Sequence, residues 1–227
     1  MAINLRNTRD VHTSGVKILC YGQAGAGKTS LIKTLPAPVV LSAEGGLLSI
    51  SDADIPFIEV SDMRALQDAY AWLKDSEESK GFKSVCLDSI SEVAEVVLAD
   101  ELRKNKDGRA AYGEMNSTMA ELIRAFRDLP GRHVYMSAKL EKSQDEMGRM
   151  LYNPSMPGKS LTQQMPYFFD FVFPLRVERD ADGTAQRALM TDGDGLWLAK
   201  SRSRNLAQWE APDLGAIIKK IAGGDDE

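Results

Sequence analysis

Eight consecutive residues, Gly22-Gln23-Ala24-Gly25-Ala26-Gly27-Lys28-Thr29, constrain the fold of this chain more than any others. They follow Lys17 to Tyr21, an apolar run that reads as a buried strand. They precede Thr29 to Leu35, which reads as a helix stopped by Pro36 and Pro38. A Gly-x-x-x-x-Gly-Lys-Thr sequence in that setting is a phosphate-cradling loop. Gly22, Gly25 and Gly27 allow the torsions that aim successive N–H groups at phosphate oxygens, and the helix N-terminus adds partial positive charge. All residues from Gly22 to Ser30 are therefore expected to touch a nucleoside triphosphate, with ATP the expected nucleotide. Lys28 can reach the β- and γ-phosphates, and the Thr29 hydroxyl can ligate Mg²⁺.

A strand, a glycine loop and a helix in succession commit the chain to a parallel sheet covered by helices. The remaining patterning agrees. Strands are expected at Val39 to Ser42, Phe57 to Val60, Ser84 to Leu87 and His133 to Ala138. Helices are expected over Asp62 to Lys74, Ser91 to Lys104 and Tyr112 to Asp128, the last with Met115, Met119, Leu122, Ile123 and Phe126 inward. Lys139 to Gln164 is polar, with Gly148, Pro154, Pro157 and Gly158, and reads as one long loop. Beyond it, strands are expected at Phe168 to Val172, Leu175 to Arg179, Gln186 to Met190 and Leu196 to Ala199, then a helix over Leu214 to Ile221. The fold class is α/β: three layers around a mostly parallel sheet, with antiparallel strands added at one side. An arm over residues 1–15, an ATPase domain over 16–222 and an acidic tail over 223–227 complete the expected organisation.

A net charge of −5 excludes a uniformly basic nucleic-acid binder but not a local basic groove, since charges act within about 8–10 Å in physiological salt. No run approaches the ~20 apolar residues of a membrane span, and the start of the chain lacks a basic-then-apolar leader pattern. Cys20 and Cys86 each lie in an apolar run without metal-ligand spacing, as reduced core residues of a cytoplasmic protein would.

Two acids could complete a hydrolytic site. Asp88 ends the apolar strand Ser84 to Leu87, where a carboxylate can hold the metal beside Thr29. Glu44 follows Val39 to Ser42, at the sheet edge where open α/β sheets bind ligands, and could deprotonate a water there. Position alone leaves Glu44 equally readable as a solvated loop residue.

On these motifs the chain resembles the RecA-core ATPases, and more narrowly the small phage-encoded RecA-like proteins of single-strand annealing. The resemblance covers roughly Lys17 to Arg204. It implies that Glu44 is the catalytic base and that Asp88-Ser89 is the metal-binding pair. It also implies that the strand His133 to Ala138 inserts between the phosphate-loop strand and the Asp88 strand, with Ser137 or Lys139 as a γ-phosphate sensor. Lys200-Ser201-Arg202, by composition a solvated basic turn, resembles the cation pair that such proteins offer across a subunit interface to a neighbour's γ-phosphate.

The same resemblance implies single-stranded DNA as partner, further copies of the chain in a ring or filament, and a single-strand-binding protein. A phage-encoded protein of this kind would work in the bacterial host cytoplasm. Two segments are then expected to grip DNA: Arg103 to Tyr112, through Arg103, Lys104, Lys106 and Arg109, and the long loop, through Lys142, Arg149 and Lys159. Rival readings of the same loop are a helicase-like or loader ATPase, and a non-catalytic factor whose assembly ATP gates.

Overall fold

The computed structural model describes residues 15–223, so all but the first residue of the expected acidic tail and all but the last residue of the expected N-terminal arm lie outside the described residues. Its centre is a sheet in the order β3-β2-β4-β5-β1-β7-β8-β9, with β6 paired to β5 alone. The strands are β1 (Lys17–Gly22), β2 (Pro38–Ser42), β3 (Phe57–Glu59), β4 (Ser84–Asp88), β5 (His133–Gln144), β6 (Met150–Ser155), β7 (Phe171–Arg179), β8 (Ala185–Met190) and β9 (Trp209–Glu210). β3, β2, β4, β5, β1 and β7 run parallel, while β6, β8 and β9 are antiparallel additions. β5 lies between β1 and β4, the insertion expected for the strand starting at His133.

The sheet is buried on both faces because its strands are apolar at successive positions rather than alternate ones. Leu19 and Tyr21 of β1 face one core; Ile18 and Cys20 face the other. The first core is roofed by α1 (Met63–Asp75), α2 (Ile90–Lys104), α3 (Gly108–Arg127) and α4 (Lys159–Phe168). Met115, Met119, Ile123 and Phe126 of α3 are buried there, at the expected helical spacing. The second core is covered by two 3-10 helices, Thr29–Thr34 and Leu47–Ala53, and by α5 (Leu214–Ile221). These are the three layers. Cys20 and Cys86 are free and fully buried, and burial pushes the Cys20 thiol up to about 12. Among the described residues no helix is long and apolar enough to cross a membrane.

Several sequence expectations are corrected. The helix after the phosphate loop is a six-residue 3-10 helix, cut short by Pro36. The long loop from Lys139 does not exist. β5 continues to Gln144, turns through Asp145–Arg149, returns as β6 and leads into α4. This hairpin runs past the sheet edge with neither face fully buried, so it carries no apolar alternation for a sequence reading to detect. The Asp145 carboxylate makes the turn by accepting from the N–H groups of Met147 and Arg149. The segment Pro154 to Lys159 acquires a packing role: Met156 is buried, and Gly158 at φ +82° starts α4.

The two strands expected around Pro174 are one strand. β1 pairs with β7 up to Pro174 and β8 pairs from Leu175 onward, so the missing N–H falls where one ladder hands over to the other. Leu196 to Ala199 is not a strand. It contributes one isolated bridge, Trp197 to Tyr152; Lys200, just beyond it, bridges to Val172, and the last strand among the described residues is β9.

Candidate nucleotide site

β1 ends at Gly22 and delivers the phosphate loop to the C-terminal edge of the sheet. Gly25 and Gly27 hold φ of +74° and +106°, a region that a side chain would make costly. The Ala26 N–H donates to the Gln23 carbonyl at 3.2 Å, closing the turn. The Lys28 ammonium lies along the loop, donating to the carbonyls of Gly22 and Gln23 at 2.9 and 3.0 Å. From behind, the buried Tyr135 hydroxyl donates to the Lys28 carbonyl at 2.8 Å. The loop is thus fixed by its own backbone and by the strand beneath it.

β4, two strands away from β1, brings Asp88 to the same edge. The Thr29 hydroxyl donates to Asp88 Oδ2 at 2.6 Å, and the buried Ser137 hydroxyl donates to Asp88 Oδ1. The Asp88–Ser89 peptide is cis, and Ser89 caps α2. Glu44 leaves the end of β2 and accepts a hydrogen bond from the Ser89 hydroxyl. Phosphate loop, Glu44 and Asp88 line one cleft of about 540 Å³, which Ser49, Leu175, Arg187 and Pro212 complete.

The donor set suits Mg²⁺. Thr29 Oγ1 and Asp88 Oδ2 are hard oxygens already facing each other, and Mg²⁺ takes one or two such protein ligands together with phosphate oxygens and water. Among the described residues no three His, Cys, Asp or Glu side chains gather as a metal cage.

Of the two candidate γ-phosphate sensors, Ser137 is spent on Asp88, while the Lys139 ammonium pairs with Glu92. Lys200 and Arg202 lie elsewhere. The Asp170 N–H bonds the carbonyl of Lys17, at the opposite end of β1 from the phosphate loop, and Arg202 Nη1 donates to Asp170 Oδ1 at 2.6 Å. Five steps along a strand span roughly 17 Å, so neither cation belongs to its own chain's cleft. The Lys200 ammonium donates to the carbonyls of Pro166 and Phe169 at 2.8 and 2.7 Å, closing the C-terminus of α4. Burial, then Arg202, lower its pKa.

The first expected DNA segment is mostly helix: Arg103 and Lys104 end α2, and Arg109 lies in the first turn of α3. The Lys104 ammonium is shared between Asp100 and Glu101, and Arg103 lies 3.6 Å from Asp100. Lys106 and Arg109 are exposed. Arg149 pairs with Asp145 at 2.7 Å, Lys142 sits 6.0 Å over the Tyr152 ring, and Lys159 opens α4. The fold does bring the two segments together: a Cβ on Gly158 would meet the Tyr112 ring at 3.5 Å. Beside Lys142, Tyr152 and Trp197 stack on each other at 4.1 Å.

The sequence reading missed Arg187, Tyr135 and Pro212. Each comes from a segment remote from the phosphate loop and carries no local motif. No individual curated protein matches the chain significantly. The family profile described as an AAA domain matches residues 14–203, and the chain therefore belongs to that family of P-loop nucleotide-binding ATPases.

Proposed function

We propose that this protein is an Mg²⁺-dependent ATPase of RecA type that couples ATP turnover to a grip on single-stranded DNA during annealing or recombination. One observation carries the hydrolytic half: Glu44 and Asp88, from different strands, share a single cleft with the phosphate loop. Lys28 and the loop N–H groups hold the phosphates, and Thr29 with Asp88 would hold the metal. Bound Mg²⁺ would neutralise charge on the β- and γ-oxygens. Glu44, kept at the cleft by Ser89, orients a water and takes its proton as that water attacks the γ-phosphorus, while the bond from the γ-phosphorus to the β–γ bridging oxygen breaks and ADP leaves with that electron pair.

Two features support the DNA half. Lys106, Arg109, Lys142 and Lys159 remain solvent-accessible cations, and the N-terminal turns of α3 approach the start of α4 through Tyr112 and Gly158. A role for the late basic element across a subunit interface falls to Arg202, whose side chain is 61% exposed, because Lys200 is committed to α4.

The deciding assay is ATP turnover with and without single-stranded DNA at low salt. Wild type is expected to hydrolyse ATP faster with DNA. Glu44→Gln is expected to lose about 10²–10⁴-fold in turnover while still binding ATP. DNA-independent turnover together with no DNA binding would remove the DNA half. Full turnover by Glu44→Gln would remove Glu44 as the base.

A further inference from the structure

Arg187 is the cleft cation that no motif announces. It lies on β8, far from the phosphate loop in sequence, yet its Nε donates to the carbonyl of Ala26 at 3.0 Å. The side chain runs past Gly27: a Cβ there would meet Arg187 Nε at 3.5 Å and Cδ at 3.6 Å. The Ala26 bond uses one edge of the guanidinium. Neither Nη group has a hydrogen-bonding or ion-pair partner among the described residues. Its strand neighbours differ, since Arg176 reaches Glu178 at 3.3 Å and Arg179 donates to the Gly183 carbonyl at 2.8 Å.

Charge balance points the same way. Four ionisable side chains line the cleft: Lys28, Arg187, Glu44 and Asp88. Without Arg187 the side chains lining the cleft would carry more acid than base, leaving Lys28, the loop N–H groups and the metal to offset a polyanion. With it the acids are matched, and the added charge is a planar fork suited to phosphate oxygens. A Cβ at position 27 would only touch this side chain at ordinary contact distance, so the φ of +106° rather than crowding is what favours glycine there.

We infer that Arg187 binds the phosphate chain of the nucleotide from within the same subunit, with Nε latched to the Ala26 carbonyl and the Nη groups directed at phosphate oxygens. This rests on the nucleotide reading of the cleft. It provides positive charge at the phosphates without a neighbouring subunit, so Arg202 of an adjoining copy would supplement that charge rather than be its only source.

The test measures binding of Mg·ATP and of Mg·tripolyphosphate, which has neither base nor ribose, by calorimetry. Wild type, Arg187→Ala and Arg187→Lys are compared, and unliganded melting temperatures are recorded. Arg187→Ala is expected to weaken both ligands by a similar factor of about ten or more, as loss of a charge-assisted contact does. Arg187→Lys is expected to recover part of that loss in affinity, and part of the small fall in unliganded melting temperature that losing the Ala26 bond gives Arg187→Ala. Unchanged affinities in Arg187→Ala would overturn the inference, as would a loss confined to ATP, which would move Arg187 to the base or ribose. A fall in unliganded melting temperature with no recovery by Arg187→Lys would reduce it to a structural latch and overturn it too. If wild type binds neither ligand, the nucleotide reading itself falls, a result distinct from the other failures.

Discussion

Lys17 shows how one residue carries a cost that the fold must absorb. The residue is 7% exposed, and its ammonium donates to the Arg132 carbonyl at 2.7 Å. Burial lowers its pKa to about 8, against the partial support of Asp128 and Asp170 and with Arg127 adding repulsion. Between that value and the usual lysine range, the unfolded chain keeps a proton that the folded chain has released, so this group's contribution to stability rises with pH. Below pH 8 both states are protonated and the contribution stays at its minimum. Because other groups titrate in the same range, the measurable quantity is a difference from a variant. Wild type is expected to gain stability relative to Lys17→Met from about pH 8 to 10, by at most about 1.4 kcal/mol per pH unit. Denaturant unfolding at several pH values checks it, and a flat difference would mean that Lys17 keeps its proton when folded.

At the scale of elements, the phosphate loop depends on how closely α5 packs beneath it. α5 meets the 3-10 helix Thr29–Thr34 end on. The Leu214 N–H donates to Thr34 Oγ1 at 2.9 Å, and a Cβ on Gly215 would lie 2.4 Å from the Thr34 carbonyl oxygen. That oxygen is backbone and cannot swing away. Gly215→Ala should therefore push α5 off the layer and destabilise the protein by about 1–3 kcal/mol, as overpacking does. Because the 3-10 helix that α5 packs against begins at Thr29, ATP affinity should fall as well. Urea midpoints and nucleotide titration read the two effects separately. None of this closeness was legible beforehand: the sequence marks α5 by its apolar spacing, but not the face on which it docks. The hairpin β5–β6 was hidden for the opposite reason, since a solvated hairpin has no periodic burial to imprint on its residues.

For the whole molecule, the open question is whether one subunit is enough. The cleft contains a phosphate loop, a candidate metal-binding pair, a candidate base and a guanidinium, all from one chain. Arg202 lies at the far edge of the sheet, paired with Asp170 but mostly exposed. If a neighbour presents Arg202 to this cleft, turnover per subunit should rise with protein concentration. Arg202→Ala should then lower the assembled rate by about 10³-fold or more, the scale of an arginine supplied in trans, and leave the dilute rate unchanged. Turnover measured across a dilution series, alongside mass by light scattering, checks this. A rate independent of concentration would leave Arg202 as a partner of Asp170 and nothing more.

The glycine loop, its flanking strand and helix signals and the acid ending β4 were readable because each rests on local chemistry: torsions only glycine adopts freely, apolar runs, a carboxylate at a strand end. From those features alone follow the parallel sheet, the layer order and a phosphate site at one edge. Where Glu44 and Asp88 stand relative to the loop required the order in which strands pair, a long-range outcome of packing. So did the identity of the second cleft cation, because Arg187 reaches Ala26 only after β8 has folded back along β7. The same packing sent Lys200 to the end of α4. A side chain's reach and charge are written in its own residue, but the partner that claims it is set by what the rest of the chain brings within hydrogen-bonding distance.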